Sequence, residues 1–408
     1  MEIIYGVSCG IDVHKKEITA ALMVSGTKRA VVRKYGTSTY ELRDMVQWLK
    51  SEKCEMVAME STGSYWKPLY NVFEMEEMPA MVVNAAHMKA IPGRKTDVKD
   101  AEWICDLLRH GLLKASFIPD KDQREFRELT RYRKSRTDER AREINRLQKM
   151  LEGANIKLAS HVSNIIGKSA ARLLSLAIGD EDITDEAVAK ARHGGVKASV
   201  AELRESLVGI ISPLQRELVA MVLNTIDEQT GQIEQIEALI RKYTKDAYDE
   251  AAKQLEQMPG IGRASAEAII AEIGIDMSQF PTASHLCAWA GLAPSNNESA
   301  GKKKNGKSRK GNKHLKRIMT QCATSAVKNK DCFFHAQYQR LVVRKGRNKA
   351  ITAVAHSMLI AIYHTLLGRE FKDLGANYYT QFNKDKKINS HLRQLKQLGW
   401  VPPEATAS

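Results

Sequence analysis

A chain of 408 residues, 43% of them hydrophobic, has apolar material for two or three domains with cores of their own, and its net charge of +15 asks for a polyanionic partner. It holds no apolar run of membrane-spanning length, and its N-terminus lacks the basic start and long apolar stretch of a signal peptide. The expected setting is therefore the cytoplasm, with no membrane partner. The six cysteines (Cys9, Cys54, Cys105, Cys287, Cys322 and Cys332) form no C-x-x-C pair and lie in apolar contexts, so they read as reduced core thiols rather than disulfides or zinc ligands.

Residues 1–118 alternate strand-like runs (5–12, 17–24, 29–35, 55–60 and 80–84) with helix-like stretches (39–52, 65–77 and 97–110). This predicts an α/β domain whose first three strands can form an antiparallel meander. Four acids stand at element edges. Asp12 ends the apolar run Tyr5–Ile11, Glu60 ends Met56–Met59, and Asp97 and Asp100 open a helix. Their three-residue spacing puts Asp97 and Asp100 on one helix face, about 5 to 6 Å apart. A single aspartate after a strand is ordinarily a turn former or a cap. Four converging carboxylates are another matter, because they repel one another unless hard divalent cations sit among them. Two such ions about 4 Å apart form the clamp used for in-line phosphoryl displacement. His14 and Lys15 follow Asp12 directly, and His14 reads as a turn residue, a phosphate contact or a catalytic base. Tyr65 and Trp66 read as core before they read as a stacking platform for a nucleobase, and Arg94 and Lys95, ahead of the acidic helix, are candidates for nucleic-acid contact.

From 119 to 250 the pattern becomes helical. An arginine-studded helix is expected over about 120–155, with Ile144, Leu147 and Leu151 at coiled-coil spacing. A second begins at the Ser212-Pro213 cap, its apolar residues recurring every three or four positions from Leu214 to Tyr243. Two such helices predict a coiled coil, antiparallel or intermolecular. The stretch between them, 160–205, looks helical but irregular.

Residues 251–408 carry 25 Lys+Arg against 10 Asp+Glu, an excess equal to that of the whole chain. Here Met258-Pro259-Gly260-Ile261-Gly262-Arg263 has the form of a helix-hairpin-helix turn, in which backbone N–H groups near Gly260, Gly262 and Arg263 receive a phosphate. A plain αα-hairpin has the same form. Downstream, an apolar segment ending in Gly291-Leu292-Ala293-Pro294 leads through Glu298-Ser299-Ala300-Gly301 into a basic tract. Lys302, Lys303, Lys304, Lys307, Arg309, Lys310 and Lys313 make this tract a phosphate-wrapping loop pinned ahead of a helix. Past 330, the apolar run Ile351–Leu367 reads as a packing helix, followed by a basic tail.

Gly10-Ile11-Asp12-Val13-His14-Lys15, Met59-Glu60-Ser61-Thr62-Gly63, Lys95-Thr96-Asp97-Val98-Lys99-Asp100-Ala101, Gly291-Leu292-Ala293-Pro294, Glu298-Ser299-Ala300-Gly301 and Arg309-Lys310-Gly311-Asn312 together resemble the DEDD-type insertion-sequence transposases. That family includes the Piv invertase and the bridge-RNA-guided recombinases, and the likeness runs in order from about residue 6 to 325. It implies four parts: a RuvC-like, RNase H-like domain over 1–118, coiled-coil helices over 119–250, a transposase domain with the nucleophilic serine and basic tract over 251–330, and a helical extension over 331–408.

By the same resemblance, Asp12, Glu60, Asp97 and Asp100 hold Mg2+, or Mn2+ in its place, and Ser299 attacks DNA to give a covalent phosphoserine. Ser295 is the rival serine, with a turn residue after Pro294 as its plainer reading. Donor and target DNA, a structured guide RNA, and a homodimer or homotetramer are the implied partners. Two other readings stay open: a water-using, RuvC-like structure-specific endonuclease of the junction-resolvase kind, and a binding protein whose acids are inert.

Overall fold

A computed structural model describes residues 2–27, 29–61, 63–84, 99–179, 182–294, 298–299, 302–303, 311–382 and 384–400. The chain divides into two compact units, Met1–Pro119 and Asp120–Ser408.

The first unit is built on a five-stranded sheet of β1 (Val7–Val13), β2 (Ile18–Val24), β3 (Val31–Tyr35), β4 (Met56–Glu60) and β5 (Ala80–Val83). Its order is β3-β2-β1-β4-β5, with β1 antiparallel to β2, β2 antiparallel to β3, and β4 parallel to both β1 and β5. The antiparallel meander expected from the sequence is there, and the whole order fits the RNase H-like fold. Helices α1 (Thr39–Ser51) and α2 (Trp66–Met75) cover one face, where Cys9, Ile11, Val13, Val57 and Met59 pack with Leu42, Met45, Leu49, Leu69 and Phe73. A Ser38–Glu41 capping box starts α1. Helix α3 (Lys99–Arg109) covers the other face, where Ala58 and Val83 meet Ile104 and Leu108. Strand alternation sends odd-numbered β1 residues to the first face and even-numbered ones to α3.

The second unit opens with α4 (Lys121–Gly153), about 50 Å long at 1.5 Å per residue. Helices α5 (Lys168–Ile178), α6 (Asp185–Ala191) and α7 (Val200–Leu207) follow, and then the long α8 (Pro213–Tyr243). The two long helices run antiparallel within one chain. At one end Asp122 forms an ion pair with Lys245, just past α8; midway Arg140 Nη1 donates to Thr230 Oγ1 at 3.1 Å; at the other end Leu147 and Leu151 share a core with Val219 and Ile226. Residues 154–212 form a small head on that last end. Its core of Leu173, Leu174, Val188, Leu203 and Leu207 joins the long helices, and paired backbone bonds close it, Lys157 N to Ser206 O and Ile210 N to Ala154 O, both 2.8 Å.

Helices α9 (Asp246–Glu256), α10 (Arg263–Ile273), α11 (Ala283–Trp289), α12 (Lys313–Ala326), α13 (Phe333–Lys345) and α14 (Arg347–Leu366) complete the packed part, and α15 (Tyr378–Phe382) and α16 (Lys384–Gln397) follow. Helix α14 is its apolar centre, burying Val354, Ala355, Met358, Leu359 and Ile362, so the segment expected to serve as packing does so. All six cysteines are buried and unpaired. Among the described residues no helix is long and apolar enough to cross a membrane.

A Cβ at Gly10 would collide with the α3 backbone at Ala101 O and Cys105 N. We expect Gly10→Val to lower the unfolding free energy by about 1 to 3 kcal/mol or more, since no flexible side chain is there to give way. Denaturant titration with the midpoint and slope both measured checks this; an unchanged midpoint would contradict the contact.

Candidate functional site

The β1–β4 ladder pairs Gly10 with Ala58 and Ile11 with Met59, which brings Asp12 and Glu60 side by side on adjacent parallel strands. Such strands lie about 4.8 Å apart. Both acids have even-residue parity, shared with Ser8 and Gly10 on β1 and with Met56 and Ala58 on β4, so both belong to the α3 face. They sit at the carboxyl ends of their strands, where open α/β sheets take their ligands.

Helix α3 runs opposite to β1. Ala101 lies over Gly10, Cys105 Sγ donates to Ser8 O at 3.1 Å, and Ile4 N reaches Arg109 O at 2.8 Å. The N-terminal turn of α3, with Asp100 in it, is therefore at the Asp12 end of the strand. Asp100 Oδ1 is shielded from solvent. The structure thus places Asp12, Glu60 and Asp100 toward the same end of the central strands β1 and β4, while Asp97 lies outside the described residues, as do Arg94 and Lys95. Among the described residues no three His, Cys, Asp or Glu side chains form a ready metal-binding group. His14, left open by the sequence, is on the Asp12 carboxylate, with Nε2 3.0 Å from Oδ2.

Ser299 lies in a separate element. The backbones of Glu298 and Ser299 form β6, paired antiparallel with β7 (Lys302–Lys303), so that Ser299 stands opposite Lys302. Ser295, Lys304, Lys307, Arg309 and Lys310 lie outside the described residues. The two ends of this segment are in contact. A Cβ on Gly311 would strike Gly291 N and the backbone of Ala290, and Asn312 N donates to Trp289 O at 3.0 Å. Asn312 then caps α12, its Oδ1 accepting from His314 N and Leu315 N. Its Nδ2 donates to Glu272 Oε2 at 2.6 Å.

Glu272 is the hub here, with a side chain only 1% exposed. It takes a bidentate pair from Arg131, 2.7 and 2.8 Å, with Arg127 Nε 3.6 Å away. Burial alone would raise its pKa, but Arg131, Asn312 and Arg127 outweigh that and hold it below the usual value. Burial and the nearby Arg131 likewise push His314 below the ordinary histidine value. Sequence reasoning missed Glu272 and its arginines. The available signal was a charged residue inside the apolar run Ile269-Ile270-Ala271-Glu272-Ile273, matched by the arginine-rich α4.

The Gly260–Arg263 turn joins two helices. Gly260 has φ +86° and fits flush against α12, where a Cβ would meet Ala326 N. Gly262 is the N-cap of α10. The Arg263 guanidinium is engaged by Asp249, Glu256 and Glu267. Lys313 opens α12.

Residues 9–156, from β1 to the end of α4, match a family model described as a transposase, the DEDD-type domain of IS110. Residues 252–339 match the transposase IS116/IS110/IS902 family. By both matches the chain is an IS110/IS116/IS902-family transposase.

Relatives of this transposase carry related names. The IS110 insertion-element protein of Streptomyces coelicolor is 26% identical over 67% of the chain and 71% of its own length. A Sinorhizobium fredii protein named as a transposase is 23% identical over 76% and 68%. The transposase for the IS1328 element of Yersinia enterocolitica is 34% identical over 22% of the chain and 27% of its own.

In the transposase the Glu272 network makes a graded prediction. Glu272→Ala strands Arg131 and the Asn312 amide and should cost about 3 to 5 kcal/mol of stability, as breaking a buried pair does, whereas Glu272→Gln keeps the shape and should cost less. Because the folded pKa of Glu272 is depressed, its contribution is complete above the unfolded value of about 4.5 and is lost as pH falls through the folded value. Thermal melts of wild type and Glu272→Gln from pH 7 to pH 3 should converge at the acid end.

Proposed function

We propose that this transposase cuts and rejoins DNA strands of its insertion sequence through a covalent phosphoserine at Ser299. Asp12, Glu60, Asp97 and Asp100 hold Mg2+, and a structured bridge RNA selects donor and target. The observation that carries the reading is the meeting of Asp12, Glu60 and the first turn of α3 at one strand edge. An all-oxygen set of this kind suits a hard divalent ion, and ion binding removes the repulsion that neighbouring carboxylates otherwise suffer. When bound, the metal supplies a Lewis acid that polarises the scissile phosphate and steadies charge on the departing oxygen.

The chain's own groups account for the rest. The Ser299 Oγ forms a bond to phosphorus as the strand's P–O bond breaks, and the hydroxyl proton passes through solvent to the departing oxygen. Attack by a DNA hydroxyl then reverses the exchange on a new strand. One phosphate ester replaces another at each step, so no ATP is needed. A free serine hydroxyl is a weak nucleophile and has to be activated where it reacts. Lys302, paired beside Ser299, and the cations of the basic tract bring phosphates to it. The family resemblance adds a dimer or tetramer in which acids and serine come from different copies. The RNA guide accounts for sequence choice by base pairing, while the protein reads backbone and shape.

With a nicked DNA substrate that prevents resealing, wild-type protein and Mg2+ should give an adduct that survives denaturing gels, and Ser299→Ala should give none. Cleavage by Ser299→Ala at wild-type rate would instead point to a water-using nuclease. Asp12→Asn should lower strand exchange at least about 100-fold with DNA binding kept. Sequencing RNA that copurifies with the protein tests the guide, and recovery of only unstructured cellular fragments would remove it from the mechanism.

A further inference from the structure

The head between the two long helices holds a cavity of about 560 Å³ whose lining residues lie outside both family matches. Three chain segments converge on it: residues 161–164, the start of α5, and residues 193–197. Its walls carry His161, Lys168, His193 and Lys197 together with the polar Asn164 and Ser169, and no carboxylate lines it. Among the described residues neither Lys168 nor Lys197 is paired to a carboxylate. Glu202 interacts electrostatically with His161 from outside the lining, its own oxygens engaged by the Ser199 capping box.

The walls are fixed before any ligand arrives. His193 N donates to Ser169 Oγ at 3.2 Å, and the Arg192 guanidinium holds Val196 O at 3.2 and 2.8 Å. Asn164 accepts from Ile166 N through its side chain and from Gly167 N through its carbonyl, at 3.2 and 3.0 Å. Preorganised, acid-free cationic walls lose little entropy on binding an anion. The cavity exceeds what one phosphate fills, and its cations sit on separate segments, so they match successive phosphates of a strand.

We propose that this pocket binds the phosphodiester backbone of a nucleic acid, as a second contact distant in sequence from the acidic edge and from Ser299. The inference rests on the nucleic-acid reading above and adds an anchor in the head to it.

The test uses full-length protein with labelled duplex DNA and, separately, a labelled structured RNA, across a salt series. Lys168→Glu should weaken one of them several-fold and make its log-affinity against log-salt slope shallower by about 1. Lys197→Gln should act in the same direction. Lys190→Glu places the same charge change on the exposed surface of α6 and should leave both affinities within about twofold. The nucleic acid that loses affinity is the pocket's ligand. If Lys168→Glu and Lys190→Glu behave alike while wild type binds normally and forms its serine adduct, the pocket proposal fails and the proposed function stands. If wild type binds neither nucleic acid at low salt, both fail. Melting curves matching wild type exclude misfolding as the cause.

Discussion

The absence of a side chain at position 10 is the constraint on which the acidic edge depends. Gly10 lets the backbone of α3 lie directly on β1, at a separation no Cβ would allow. That contact sets the height of the helix over the sheet, and the Cys105–Ser8 bond sets its register. With helix and strand locked in opposite directions, the first turn of α3 has to arrive where β1 and β4 end. Asp12, Glu60 and Asp100, from distant parts of the sequence, are thereby carried toward the same end of these strands.

The second unit solves a different problem, that of carrying charge inside. Arg127, Arg131 and Arg133 on α4 reach into α10, where Glu267 and Glu272 are nearly sealed from water. Burying these ions costs several kcal/mol each unless geometry is close to ideal, and here bidentate and backbone bonds meet that demand. Arg127 also donates to Ala271 O and Glu272 O, satisfying carbonyls at the end of α10. The same carboxylate holds Asn312, so the pairing of the long helix with α10 and the seating of the Ser299 segment share one hub.

Much of this was legible in the sequence, for identifiable reasons. The strands of the first unit show because β1 and β4 are buried on both faces and read as apolar runs, and Asp12 and Glu60 stand out by ending them. The antiparallel pairing of the two long helices was one of two options left by their spacing, since periodicity reports a face but not its occupant. The head's fold stayed hidden because its helices are short and their core is shared with the long helices. Glu272 went unnoticed because a charge in an apolar run acquires meaning only from a partner some 140 positions away. The Gly260–Arg263 pattern suits packing and phosphate contact alike, and the structure shows the packing, with Gly260 close against α12 and three carboxylates around the Arg263 side chain.

Contact between Gly291 and Gly311 brings the two ends of the Ser299 segment together at one point on the helical body. Loop-closure cost rises only slowly with length once such a junction is made. The segment bearing the serine can therefore lengthen, shorten or change its basic residues in evolution while α11 and α12 stay where they are. Mobile elements that must adapt to new DNA partners would find there a cassette to vary, with its socket left intact.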